Sequence, residues 1–210
     1  MGVLRFRFSW LLLAAVAAVI FTVVACTSSR RTGSGAGSGQ SSTDATNQAM
    51  IDRGKYLVAS IGCNDCHSPK KLGPQGPEVD TSRMLSGHPE NARISEAFKP
   101  VDGTPWTIAT TDDLTAWSGP WGVSFAANLT PDPNTGLRSG VWTEALFIKA
   151  MRTGKHMGTS RDILPPMPWQ DFSHLTDEDL RAIWTYVGTI PAVTNHVQDP
   201  IPPPAASATR

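Results

Sequence analysis

The chain has 210 residues, with 18 Lys and Arg against 18 Asp and Glu, so its formal net charge is zero. A balanced charge without a basic patch argues against nucleic-acid binding. Neither a G-x-S-x-G nor an H-E-x-x-H run is present, which argues against the common hydrolases. Only three cysteines occur, and their positions carry most of the chemical information.

The first 26 residues have the pattern of a bacterial export signal. Arg5 and Arg7 precede an apolar run from Trp10 to Ala25, whose end, Val23-Val24-Ala25-Cys26, resembles the lipobox of bacterial lipoproteins. The resemblance implies a signal peptide at 1–25, cleavage before Cys26 and lipidation of its sulfur, which anchors the chain to a membrane. An uncleaved membrane helix is the alternative, although the run is shorter than the ~20 residues that span a bilayer. Both interpretations predict that the rest of the chain lies on the periplasmic side.

Residues 26–49 are predicted to form a flexible tether between that anchor and a folded domain. The segment is rich in Gly and Ser and almost free of large apolar side chains. Such a chain cannot bury a core, and its r.m.s. reach is about 25 Å. The composition therefore predicts one globular domain at 50–190 that can move relative to the membrane.

The domain begins with a predicted helix from Thr46 to Ile61. Apolar positions recur on one face at helical spacing, and Gly54 lies among them. Glycine costs helix stability, so one explanation is close packing against another helix. The alternative is a tolerated glycine on an exposed face.

The run Cys63-Asn64-Asp65-Cys66-His67 is the attachment signature of a covalently bound haem c. The two thiols add to the two vinyl groups of one porphyrin, and His67 supplies a neutral imidazole to the iron. A redox C-x-x-C needs no following histidine, and a zinc half-site needs two more ligands at zinc spacing. The motif occurs once, so one haem is predicted.

Residues 68–141 are rich in Gly, Pro and Trp and show no clear periodicity. Gly-Pro and Asp-Gly pairs mark turns, and short strands are compatible with 101–111 and 123–129. We expect a long irregular insertion that wraps the haem and has room for a short hairpin. Its tryptophans, and one later in the chain, are candidates for an apolar haem pocket: Trp106, Trp117, Trp121 and Trp169.

Two further helices are predicted after the insertion. One starts after Thr143 and ends near Arg152, with Gly154 as its stop. The last has Thr176 as N-cap, acidic residues in its first turn and apolar residues at i, i+3, i+4 and i+7. The Pro-rich tail at 191–210 is predicted to be extended and mobile.

Met167 is the preferred candidate for the sixth iron ligand. It lies in Leu164-Pro165-Pro166-Met167-Pro168-Trp169, where the prolines exclude helix and fix the backbone. A methionine that fills a core gap is the alternative. Met157 ranks second, and His156 or His174 would give bis-histidine ligation; the remaining candidates are Met50, Met84, Met151, His88 and His196.

These features together resemble class I cytochromes c, which have the haem motif after an N-terminal helix and an axial methionine before a C-terminal helix. Three stretches are similar to the cytochrome c modules of bacterial membrane-associated dehydrogenases: Asn128-Leu129-Thr130-Pro131-Asp132 with Thr135-Gly136, Trp142-Thr143-Glu144 with Met151-Arg152-Thr153-Gly154, and the Met167 segment. The resemblance implies a mainly α, class I cytochrome c-like fold, and Asn128 and Arg152 near the haem. Independently of it, Asn128 to Gly136 also fits a plain turn-rich loop.

The predicted function is single-electron transfer and not catalysis. Ligands on both sides of the iron leave no position for a substrate. The predicted partners are a dehydrogenase as donor and a cytochrome or oxidase as acceptor, met through a small transient interface. The alternatives are a haem enzyme or gas sensor with an open or labile sixth site, and an assembly lipoprotein in which the haem only stabilises the fold.

Overall fold

A computed structural model describes residues 38–99 and 105–203. The predicted signal peptide at 1–25, the predicted lipidation site Cys26, residues 26–37 of the predicted tether and the last part of the tail, 204–210, lie outside the described residues. Within the described ranges, no helix is both long and apolar enough to span a membrane.

The described residues contain five α-helices, and the caps predicted at Thr143, Gly154 and Thr176 are confirmed. The helices are α1 (Ser38–Ser60), α2 (Cys63–His67), α3 (Glu144–Thr153), α4 (Trp169–Phe172) and α5 (Asp177–Val187). The Thr143 side chain accepts from the amide of Leu146, and Thr176 accepts from that of Asp179. Gly154 ends α3 in the left-handed conformation. Local chemistry therefore determines these boundaries.

Helix α1 begins at Ser38 rather than at Thr46, so residues 38–49 of the predicted tether are helical. After Gly39 no glycine or proline interrupts the chain before Gly54, and several of these residues favour helix. Gln48 also donates to Asp52 one turn later, over 3.0 Å. Side chains 43–49 are exposed. Helix propensity extends the element although side chains 43–49 bury no apolar face.

Helices α1 and α5 cross in close contact and form the centre of the core. Leu57 and Val58 of α1 pack with Leu180 and Ile183 of α5, and all four are buried. A Cβ atom added to Gly54 would overlap the carbonyl oxygen of Ala182. Of the two explanations for this glycine, close helix packing is the one that applies.

Two small antiparallel sheets accompany the helices. Strands β1 (Lys70–Gly73) and β2 (Gly76–Val79) form one hairpin. Strands β3 (Ala109–Thr110), β4 (Ala116–Gly119) and β5 (Gly122–Phe125) form a three-stranded sheet in that order. The sequence is compatible with one short hairpin in the insertion, but it does not predict the β1–β2 hairpin. The prediction of a mainly α fold is therefore only partly right. Glycines at the turns of the β1–β2 and β4–β5 hairpins allow the tight chain reversals that antiparallel strands need.

The C-terminal segment from Pro191 to Pro203 lacks helix and is joined to the domain by hydrogen bonds that the prediction of an extended, mobile tail did not include. Ile201 exchanges both backbone hydrogen bonds with Val123 of β5, at 2.8 and 3.0 Å. Asn195 is 1% exposed, and its amide nitrogen donates to the carbonyls of Ser86 and His88 at 2.7 and 2.8 Å. Hydrogen bonds between residues more than a hundred positions apart in sequence hold this segment, whereas its composition alone predicts no fixed contacts.

Candidate haem-binding site

The C-x-x-C-H run forms a short helix directly after α1. Gly62 has a φ of 79°, a left-handed conformation that turns the chain from α1 into α2. Cys63 and Cys66 are free thiols, each half-buried, one turn apart. Burial raises the pKa of Cys63 to about 12 and also raises the pKa of Cys66. Both shifts favour the protonated thiols, and the two cysteines lie in one short helix with the sequence spacing that thioether bonds to one porphyrin require.

His67 is buried, and its ring orientation is fixed by one hydrogen bond. Its Nδ1 lies 2.8 Å from the carbonyl oxygen of Ala127. A carbonyl only accepts, so Nδ1 carries the proton and Nε2 keeps its lone pair. Burial lowers the pKa of His67, against the opposing effect of this hydrogen bond. The result is a neutral imidazole with a free Nε2, as a metal-ligating histidine needs.

One cavity of about 590 Å³ brings the predicted ligands together. Cys63, Cys66, His67 and Met167 all line it. Most of the wall is apolar, and it combines residues of α1, α3, α5 and the β4–β5 hairpin with the loops that follow β5 and α3. The volume falls within the 300–1,000 Å³ range of cofactor pockets. The donor set and the apolar wall fit a covalently attached haem.

The Met167 segment forms a tight turn at the cavity wall. Met167 is half-buried, its amide donates to Leu164 over 3.3 Å, and its carbonyl accepts from Trp169 over 2.9 Å. Ser124 of β5 donates to the carbonyl of Pro165 over 2.5 Å. The prolines and these contacts hold the thioether on a fixed, non-helical segment.

Three other candidate ligands also line the cavity: Met151, His156 and His196. Met151 is 9% exposed and belongs to the core face of α3, so it fits packing. His156 lies edge-on to Trp142, with ring centroids 5.2 Å apart, and its Nδ1 contacts Ser160 over 3.3 Å. His156 and His196 are thus the two histidines that the cavity offers as competing ligands.

The remaining candidates are not among the residues that line the cavity. They are Met50, Met84, Met157, His88 and His174. Met157 ranks second from sequence, but the left-handed turn at its own position, with φ 55°, leaves its neighbour His156 on the cavity wall. His88 is buried with both ring nitrogens bonded, to Thr115 and to the Ala92 carbonyl, which is the pattern of a core histidine.

The Asn128 loop borders the cavity, as the resemblance implied, and is also an ordered turn. Asn128 lines the cavity and accepts from both the amide and the hydroxyl of Thr130, at 3.0 and 2.7 Å. Its amide nitrogen donates to Thr135 and to the Val193 carbonyl. This network fixes the adjoining Ala127 carbonyl that orients His67. Sequence reasoning missed Ala127, because a backbone acceptor carries no residue signal.

Arg152 is not among the cavity-lining residues, contrary to what the resemblance implied. Its guanidinium donates to the Ser173 carbonyl over 2.5 Å and to the Asp177 carboxylate over 2.6 Å. Arg152 is long enough to reach the N-terminus of α5, where these acceptors lie. It therefore joins α3 to α5.

The tryptophans divide between cavity and surface. Of the four candidates, Trp117 lines the cavity. Trp142, which was not named as a candidate, also lines it. Trp106 is 71% exposed. Trp121 and Trp169 are not among the lining residues; a Cβ atom on Gly154 would overlap the Trp169 ring, which closes the end of α3.

Comparison with known proteins finds several relatives of part of the chain, although no family model matches it. It is 27% identical over 139 residues to one subunit of the nicotinate dehydrogenase of Pseudomonas putida, covering 66% of this chain and 8% of that protein. It is 29% identical over 164 residues to the gluconate 2-dehydrogenase cytochrome c subunit of Pantoea cypripedii, covering 77% and 28%. It is 26% identical over 139 residues to the cytochrome c subunit of the quinone-type alcohol dehydrogenase of Gluconobacter oxydans, covering 66% and 21%.

The matched region spans less than a third of the length of each of these relatives. The last two names describe cytochrome subunits of dehydrogenases, in agreement with the prediction that this chain is not an enzyme. The chain is similar to the cytochrome c subunits of bacterial dehydrogenases, as its motifs predicted.

Proposed function

We propose that this protein is a c-type cytochrome with one haem, which carries single electrons for a dehydrogenase. Cys63 and Cys66 would hold the porphyrin through thioether bonds, and His67 and Met167 would bind its iron. The observation that carries the proposal is the single apolar cavity lined by all four side chains.

Each residue has a defined task in this proposal. The bound haem supplies a reversible one-electron couple at its iron. His67 presents Nε2 because the Ala127 carbonyl holds the proton on Nδ1. The thioether of Met167 favours the reduced iron, and the apolar wall excludes water and disfavours the extra charge of the oxidised form. The fixed Met167 turn keeps reorganisation on electron transfer small.

The proposed architecture is that of a class I cytochrome c, in which α1 and α5 cross behind the haem motif. The proposed donor is a dehydrogenase, since relatives are named as cytochrome subunits of gluconate, alcohol and fructose dehydrogenases. The acceptor is a respiratory cytochrome or oxidase. Contacts of this kind bury less than ~1,200 Å².

The location is also part of the proposal. Lipid on Cys26 holds the domain to a membrane on the periplasmic side of a bacterium, after cleavage of the signal peptide at 1–25. The lipobox-like residues support it. Labelled palmitate incorporated into the wild type but not into Cys26→Ser supports the anchor, and equal labelling of both refutes it.

The ligand assignment is tested by absorption spectra of the exported holoprotein. We expect a methionine-to-iron charge-transfer band in the ferric wild type and its loss in Met167→Ala. Met157→Ala is the matched control, because Met157 does not line the cavity, and should keep the band. His156→Ala should also keep it.

Three outcomes contradict parts of this proposal. A band that persists in Met167→Ala refutes the methionine ligand. A wild type without the band, whose spectrum changes in His156→Ala, indicates bis-histidine ligation. Ready binding of carbon monoxide by the ferrous wild type favours an enzyme or sensor with an open sixth site.

A further inference from the structure

Lys70 contacts the end of the haem-motif helix. A helix leaves its last carbonyl groups without intrahelical partners. The Lys70 ammonium donates to the carbonyl oxygens of Asn64, Asp65 and Ser68 at 2.7, 3.1 and 2.7 Å. The three hydrogens of one ammonium group match three acceptors. Lys70 therefore acts as a cap for the turn that carries the ligands.

The remaining contacts make this cap part of a fixed frame. The His67 carbonyl accepts from the amide of Gly87 over 2.8 Å. The backbone of Lys70 is held by pairing with Val79 in the β1–β2 hairpin and by donation to the Asp113 carbonyl over 3.1 Å. The hairpin thus presents the ammonium to the turn from a rigid strand.

The ammonium is also a local positive charge beside the attachment turn. Burial lowers the pKa of Lys70, while the nearby carboxylates of Asp65 and Asp113 favour its charged form. Removing the ammonium would leave Asp65 less compensated beside Cys66. The net loss of one positive charge beside the attachment turn disfavours an added electron on the neighbouring haem.

We propose that Lys70 is a positioning residue that holds the C-x-x-C-H turn in its attachment geometry, and that its charge stabilises the reduced haem. The proposal rests on the proposed function, since it requires a haem on Cys63 and Cys66. It deepens that function by naming a residue outside the motif that sets the equilibrium for reduction.

The test uses Lys70→Met, Lys70→Arg and the control Lys71→Met. Lys71 is the next residue of β1, is exposed and carries the same charge. Covalent haem per protein and the equilibrium constant for reduction are measured by spectroelectrochemical titration of the purified holoproteins. A unit charge about 10 Å from a redox centre changes that constant about tenfold at an effective dielectric constant of about 20. Because Lys70 is partly solvated, we expect a decrease of about three- to tenfold in Lys70→Met.

Lys70→Arg keeps the charge and several donors, so its constant should stay within about twofold of the wild type, as should that of Lys71→Met. If Lys70→Met carries no haem, Lys70→Gln replaces it in the titration. Loss of attachment in both neutral variants but not in the arginine variant supports the positioning role.

The proposal is overturned if the neutral variants attach haem normally and keep the wild-type constant within about twofold. It is also overturned if Lys70→Arg is as impaired as Lys70→Met. A wild type without covalent haem refutes the proposed function instead, so the two failures are distinguishable.

Discussion

Replacing Gly54 by alanine should destabilise the protein, although alanine is the better helix former. An added Cβ would overlap the carbonyl oxygen of Ala182 and lie 2.7 Å from the Cβ of Tyr186. Neither atom can move by a change of rotamer, so α1 and α5 must separate. Overpacking of this kind costs up to about 3 kcal/mol. The gain in helix propensity returns about 1 kcal/mol, which leaves a net loss of about 2 kcal/mol.

The assay is denaturant unfolding of the holoprotein, followed by far-UV circular dichroism. A matched pair at the exposed neighbour, Lys55→Gly and Lys55→Ala, isolates helix propensity, and there alanine should be more stable by about 1 kcal/mol. The reasoning is refuted if Gly54→Ala is as stable as the wild type or more stable. A loss at Gly54 with the expected gain at Lys55 assigns the cost to helix packing.

Two further predictions concern the polar contacts of the C-terminal half. Asn195→Ala should cost about 3 kcal/mol, because it leaves buried backbone groups without partners at about 1–3 kcal/mol each; a loss below about 0.5 kcal/mol in urea unfolding would contradict this. Hydrogen bonds from Thr135 and Thr194 lower the pKa of Asp132 from 3.8 to about 2. The carboxylate therefore contributes stability that is complete above about pH 4 and is lost as the pH falls toward 2. Unfolding midpoints of the wild type should fall more steeply over that range than those of Asp132→Asn, and parallel curves would show that the contacts do not favour the ionised form.

The parts of the fold that sequence predicts are those with a local cause. Thr143 and Thr176 cap their helices because a side-chain oxygen three residues before an amide reaches it. The haem motif works in the same way, since the spacing of Cys63 and Cys66 is itself the chemical requirement. Met167 is the preferred candidate ligand from sequence because prolines on both sides restrict one short segment, and the structure places it at the cavity.

The parts that sequence does not predict depend on residues distant in the chain. The acceptor for His67 is a backbone carbonyl sixty residues away. The sequence does not distinguish Lys70 from other lysines, because only the hairpin places its ammonium at the carbonyls of the preceding turn. His156 and not Met157 lines the cavity, next to the left-handed backbone at Met157. Because Met157 is not a glycine, the sequence gives no signal for that conformation.

The hydrogen bonds that Asn195 donates to Ser86 and His88 have a consequence for the order in which contacts form during synthesis. Synthesis proceeds from the N-terminus, so the haem motif is made long before the segment around Asn195. That segment joins Ser86 to the Asn128 loop, and Asn195 lies 109 residues after Ser86. Until that segment is made, the hydrogen bonds from Asn195 to the carbonyls of Ser86 and His88 cannot form. Under the proposed function, the thiols of Cys63 and Cys66 are therefore available for haem attachment before these contacts exist.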